Sequence, residues 1–121
     1  MSEGGGFEPG CPLDAGFVAV NFITCKPEYV PRFKQLFATR ARAIDRMRGF
    51  CGMQVLEPDK DGGAFLIVSY WRRAEDFQGW MGSEEFLEGH RRGFADIAEA
   101  KRRGEEPPMR SEFHTYSVMA R

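Results

Sequence analysis

The run GFVAVNFITC, residues 16–25, decides how the rest of the chain is read. Its β-branched and aromatic residues favour an extended strand. Asn21 apart, almost every position is apolar, so neither side is marked for solvent. A strand of this kind is expected to be covered on both faces. Downstream, PEYVPRFKQLFATRARAIDRM (27–47) sets Val30, Phe33, Phe37, Ala41, Ile44 and Met47 at three- and four-residue steps. That period predicts one amphipathic helix. Pro31 fits only in its first turn, where the missing N–H has no partner to lose. Arg32, Lys34, Arg42 and Arg46 fall on the opposite, solvated side, and Arg48-Gly49 supplies a stop.

Two further strands follow, FCGMQVLEP (50–58) and AFLIVSYW (64–71), joined by the turn residues PDKDGG. RRAEDFQGWM (72–81) reads as a short helix and SEEFLEGHRRGFADIAEAKRR (83–103) as a longer one. Ser83 is placed to cap the latter, with Glu84 and Glu85 at the positive end of its dipole. GEEPPMR (104–110) is a loop and SEFHTYSVMA (111–120) a last strand. The order β-α-β-β-α(α)-β is the split βαβ, ferredoxin-like plan of the α+β class. It is a four-stranded antiparallel sheet with helices on one face. Strands apolar on both sides leave the second face greasy. That predicts a homodimer whose sheets face each other in a dimeric α/β barrel.

With 121 residues, 42% hydrophobic and 29% charged, the chain has the material of one globular domain. Residues 1–14, rich in Gly, Pro and acid, read as a flexible leader, leaving a single domain over 15–121. Against 17 basic residues stand 18 acidic ones, a net charge of −1 that argues against nucleic acid or a membrane surface as partner. No apolar run reaches the length of a membrane span, and the N-terminus lacks the regions of a signal peptide. Cys11, Cys25 and Cys51 are odd in number and lack CxxC spacing, so they read as reduced thiols of a cytoplasmic protein. No phosphate-binding Gly-rich loop, HExxH motif or plausible Ser/His/Asp set is present, which leaves hydrolase and nucleotide-binding readings unsupported. Most of the 11 phenylalanines are expected in the core, and so many flat apolar groups also suit the walls of a pocket for a flat apolar ligand.

Some polar residues fall where apolar ones are expected. With His90 as the reference direction on the long helix, Phe86, Phe94 and Ile97 lie within about 40° and Leu87 at about 60°. An imidazole in such a stripe is more often a satisfied core histidine than a ligand. Gly89 and Gly93 flank it, each costing roughly 1 kcal/mol of helix propensity against Ala. Helices that keep such glycines often have something lying close, either another backbone or a flat ring. Neutral imidazole is also the common protein ligand of haem iron. Asn21 is either a satisfied core amide or a donor to a bound oxygen. Trp80 is either packing or the wall of a ligand site. His114 reads as structural, and Arg91, Arg92, Lys101, Arg102 and Arg103 as a solvated face, with pairing to a ligand carboxylate the lesser reading.

Three pieces together, NFIT at Asn21, GFCGMQVL over 49–56 and YWRRAEDFQGWMGSEEFLEGH over 70–90, resemble the IsdG-type haem-degrading monooxygenases. These belong to the antibiotic-biosynthesis monooxygenase superfamily of dimeric ferredoxin-like proteins. The likeness runs from about Gly16 to Phe94. The GF-G segment and the W-x(5)-F-x-x-W helix speak for the fold. Asn on the first strand, with Trp and His ten apart, speaks for the haem-degrading members. The resemblance implies a catalytic set of Asn21, Trp80 and His90, with Phe86, Gly89, Gly93 and Phe94 against the cofactor. His90 is then the proximal ligand of the haem iron. Haem is both cofactor and substrate, opened with O2 and electrons from an external donor to release iron and a linear tetrapyrrole. Two other readings share the fold: a cofactor-independent quinol-type monooxygenase, which leaves His90 without a necessary role, and a non-catalytic haem carrier or sensor.

Overall fold

The computed structural model describes residues 12–121. Most of the leader, and Cys11 with it, lies outside the described residues; Pro12–Asp14 forms a short 3₁₀ turn whose Leu13 carbonyl accepts from Arg121 Nε at 2.9 Å. The elements are β1 (Phe17–Cys25), α1 (Val30–Ala38), β2 (Phe50–Leu56), β3 (Phe65–Trp71), α2 (Ala74–Met81), α3 (Glu84–Arg102) and β4 (Met109–Ser117), with 3₁₀ turns at Pro27–Tyr29 and Ala43–Arg46. The sheet runs β2-β3-β1-β4, antiparallel throughout, so β1 is paired along both edges. This is the ferredoxin-like plan expected from the element order.

Strand alternation sends Ala19, Asn21 and Ile23 to the helix side of the sheet and Val18, Val20 and Phe22 to the other. On the helix side the core falls into two clusters. One gathers Ala19, Ile44, Phe50, Trp71, Phe77 and Trp80; the other gathers Ile23, Phe33 and Phe65. Trp71 is wholly buried, stands edge-on to Phe50 and Phe77, and its indole N–H donates to Ser69 Oγ at 2.9 Å. That bond satisfies the one polar atom such a ring brings into a core. The second face of the sheet is apolar as well: Val20 and Val68 are buried there although no helix among the described residues covers them.

Gly49 shows why the GF-G segment needs glycine. Its φ is +79°, and an added Cβ would sit 2.1–2.5 Å from the side chain of Asp76 at the start of α2. Its carbonyl accepts from Arg72 N at 2.8 Å, locking the entrance of β2 to the exit of β3. Gly52, at φ +135°, sits at the register shift between Phe50 and Gly52.

The continuous helix expected over 27–47 is corrected. The α-helix stops at Ala38, and Arg42 takes a left-handed conformation at φ +61° before the 3₁₀ turn of Ala43–Arg46. Thr39 begins the break by donating its hydroxyl to Gln35 O at 2.8 Å, a local bond that competes with helix continuation. Phe33 and Ile44 kept the helical period because each fills a different core cluster. Leu87, assigned near the apolar stripe of α3, is 58% exposed.

Gly49→Ala is expected to cost about 2–3 kcal/mol, combining left-handed strain with the displacement of Asp76. Urea denaturation with an unchanged m-value checks this.

Candidate active site

Between the helix side of the sheet and the helices lies a cavity of about 500 Å³. Ala19, Asn21, Ile67 and Ser69 form its floor, Trp80, Phe86 and His90 one wall, and Leu36, Phe37 and Arg40 the other. All seven residues singled out from the sequence, Asn21, Trp80, Phe86, Gly89, His90, Gly93 and Phe94, line this one space. His114 does not. It lies across the sheet, its Nε2 2.7 Å from Glu112 and its ring edge-on to Phe22.

His90 is held by its own helix. Its Nδ1 is 2.7 Å from Phe86 O, one turn earlier. A carbonyl only accepts, so Nδ1 carries the proton and donates. The lone pair is then on Nε2, which has no hydrogen-bond partner among the described residues. The ring is stacked between Phe86, at 4.1 Å and 28°, and Phe94, at 5.2 Å and 26°, one helical turn to either side. Burial pulls the imidazole below its ordinary pKa, and the bond to Phe86 O only partly opposes this. The group is therefore a neutral, oriented imidazole with a free lone pair. Among the described residues no cluster of three or more His, Cys, Asp or Glu stands ready for a bare metal ion. A single imidazole suits a metal that arrives with its other ligands in place.

Asn21 sits in register between Ile67 of β3 and Phe113 of β4. Its Oδ1 is buried without a hydrogen-bond partner. Leaving such an atom unpaired costs about 1–3 kcal/mol. Of the two readings of Asn21, the satisfied core amide does not hold.

Trp80 is 6% exposed and belongs to the core, yet its outer surface forms cavity wall. It stands edge-on to Phe86 at 5.3 Å and lies 6.0 Å from the His90 ring. Its Cη2 would be 3.4 Å from a Cβ at Gly89, so it is this indole that uses the space the glycine leaves. At Gly93 the nearest such neighbour is Met109 Cε at 3.7 Å.

The basic groups of this cavity were not assigned from the sequence. Arg40 and Arg42 both line it and share one carboxylate, Asp45, at 3.3 and 2.9 Å. Two cations on one anion leave a positive excess beside a mostly apolar space, which Arg92 lines as well. Helical spacing put Arg42 on the solvated side, and the break after Ala38 brings it to the cavity rim with its side chain still 67% exposed; Arg40 is the more buried of the two. A separate polar cluster ties α1 to α3, where Asp96 accepts from Tyr29 Oη at 2.6 Å and Arg32 Nε at 2.9 Å. Burial pushes the Asp96 carboxyl up, but the bonds from Arg32 and Tyr29 outweigh it and hold it below its ordinary value. Burial, then the Asp96 carboxylate, pushes the Tyr29 phenol up.

A ferredoxin-like sheet with a neutral imidazole and an unpaired amide on one apolar cavity defines a small-ligand protein of α+β class. Residues 16–92 match the antibiotic biosynthesis monooxygenase family, and the chain belongs to it. It is 34% identical over 77 residues to a heme oxygenase (staphylobilin-producing) of Staphylococcus epidermidis, covering 62% of this chain and 73% of that one. It is 35% identical over 63 residues to a heme oxygenase (mycobilin-producing) of Mycobacterium tuberculosis, covering 52% of this chain and 60% of that one. Among solved structures, the heme-degrader MhuD of M. tuberculosis with two hemes bound in its active site superposes with a TM-score of 0.62 at 25% identity, over 87% of this chain and 97% of that one. SnoaB, a cofactor-independent oxygenase of Streptomyces nogalater, superposes with a TM-score of 0.64 at 19% identity, covering 88% of this chain and 96% of that one, a likeness of fold.

Two tests follow from the site alone. Asn21→Val is expected to raise the stability of the ligand-free protein by about 1 kcal/mol, because it removes an unpaired buried oxygen; a thermal melt reads this. His90 has a folded pKa below its unfolded value of about 6.5, so the unfolded chain binds its proton first. Its contribution is complete above about pH 6.5 and is lost as the pH falls from there through the folded value. Urea midpoints measured from about pH 7 down to about pH 5 are expected to fall in the wild type and less so in His90→Phe. The loss linked to Asp96 comes separately, below about pH 4.

Proposed function

We propose that this chain is a haem-degrading monooxygenase, with His90 as the proximal ligand of the iron and Asn21 and Trp80 completing the catalytic set. The observation that carries the reading is the state of His90. Nδ1–H is committed to the Phe86 carbonyl, the ring is clamped by two phenylalanines, and the Nε2 lone pair is left for a ligand in an apolar cavity. Haem is the substrate and supplies the iron at which dioxygen is activated against its own ring, with electrons from an external reductant.

The chain's own residues do the rest. Phe86 and Phe94 stack against the imidazole and hold its plane. The Asn21 amide, unpaired within the protein, is the hydrogen-bonding group on the sheet side. Trp80, braced by Trp71 at 6.5 Å, is a rigid wall against which a macrocycle is shaped. Arg40 and Arg42 answer the carboxylates at the polar edge of haem. The relatives named heme oxygenase support the same reading.

The active form is a homodimer, its sheets facing each other, built from the single domain over 15–121. Two features support this: the second sheet face is apolar, and Tyr116 of β4, opposite Val18 on that face, is 50% exposed. The thiol of Cys25 suits a reducing, cytoplasmic setting. Among the described residues no helix is long and apolar enough to cross a membrane.

Hemin titration followed by ascorbate under air, with catalase present, tests the assignment. A Soret shift and then its decay is expected. No binding sinks the haem reading and favours the cofactor-independent oxygenase, whereas a stable spectrum after reduction makes the protein a carrier or sensor. His90→Ala is expected to abolish the ligated spectrum, and Asn21→Ala to retain it while slowing decay by about tenfold or more.

A further inference from the structure

Arg92 is one of a pair of α3 side chains that reach across to the broken end of α1. Its Nη1 donates to Thr39 Oγ1 at 2.8 Å, and its Nη2 donates to Leu36 O and Thr39 O, both at 2.9 Å. These carbonyls belong to the last turn of α1, where a helix has no continuing N–H groups to fill them. Four residues earlier, Glu88 accepts from Arg46 Nη2 at 2.8 Å. The two ties straddle His90 and grip the segment 36–46 at its two ends. Between them lies the left-handed Arg42, along with Arg40 and Asp45. No tight glycine turn or proline sets the path of this stretch.

We propose that Arg92 is a positioning residue for the haem site: it latches the 36–42 wall to the helix that carries His90, and so sets where Arg40 and Arg42 stand relative to the imidazole. Its two terminal nitrogens are taken by protein acceptors, which separates its role from theirs. Arg40 and Arg42 meet the ligand's carboxylates; Arg92 holds the backbone that presents them. A lysine cannot replace it, because three acceptors are met by one planar fork and an ammonium is a single point. Thr39 is the matching half of the latch, its hydroxyl accepting from Arg92 while donating to Gln35 O. The link to haem rests on the function proposed above; the latch itself does not.

The test separates the two. In ligand-free protein, amide hydrogen exchange over residues 39–43 is expected to quicken about tenfold in Arg92→Ala and in Arg92→Lys, and less in Thr39→Val. Millimolar guanidinium ion is expected to slow it again in Arg92→Ala alone. Exchange within about twofold of wild type in both Arg92 variants, or a lysine variant indistinguishable from wild type, overturns the latch. For the link to the site, hemin affinity is measured in Arg92→Ala, in Arg40→Ala/Arg42→Ala and in the triple variant. Arg92→Ala is expected to weaken hemin about tenfold with the Soret maximum of the bound form unmoved, and to do little once Arg40 and Arg42 are gone. Additive losses overturn the positioning role even if the exchange result stands. Absence of hemin binding by wild type removes the haem reading and leaves the exchange result to decide the latch.

Discussion

The register of β1 is the constraint on which the rest depends. It pairs with β3 from Phe17↔Trp71 to Ile23↔Phe65 and with β4 from Phe17↔Ser117 to Cys25↔Met109. Side chains alternate along a strand, so a slip of one residue would send Ala19, Asn21 and Ile23 to the far face and bring Val18, Val20 and Phe22 under the helices. The bulky set would fill the cavity, and the amide would leave it. Pairing on both edges makes that slip costly, since it must break two ladders at once. The bulge at Phe50/Gly52 absorbs the irregularity on β2, away from the strand that carries Asn21.

The site trades stability for chemistry at two points. An imidazole kept neutral by burial disfavours the fold in acid, and an amide oxygen without a partner disfavours it at any pH. Apolar replacements at either position would make a better core. What they would remove are the two groups able to bind to something inside an apolar space. Around them Phe86, Phe94 and Trp80 leave the imidazole little freedom, and a Cβ on Gly89 would just meet the indole, at 3.4 Å.

Sheet order and helix placement were legible in the sequence because they rest on periodicity and turn chemistry, both local. His90, Asn21 and Trp80 were visible as polar or large groups out of place, though each alone read more simply as packing. The family likeness joined them, and the cavity shows that the three share one space. The end of α1 was not legible. Its break rests on Thr39, an ordinary residue, and on acceptors filled by Arg92 from 53 positions away in the chain. Arg42 was hidden for the same reason, since a helix drawn through it directs it outward. Long-range capping leaves no periodic trace.

Trp71 and Trp80 lie 6.5 Å apart, one sealed in the core and the other forming cavity wall. At that separation two indoles exchange excitation energy faster than either emits. A chromophore seated against Trp80 therefore darkens both rings, including the one it never touches. The intrinsic fluorescence of the chain is thus a direct gauge of cavity occupancy, with no label and little background. These are its only two tryptophans.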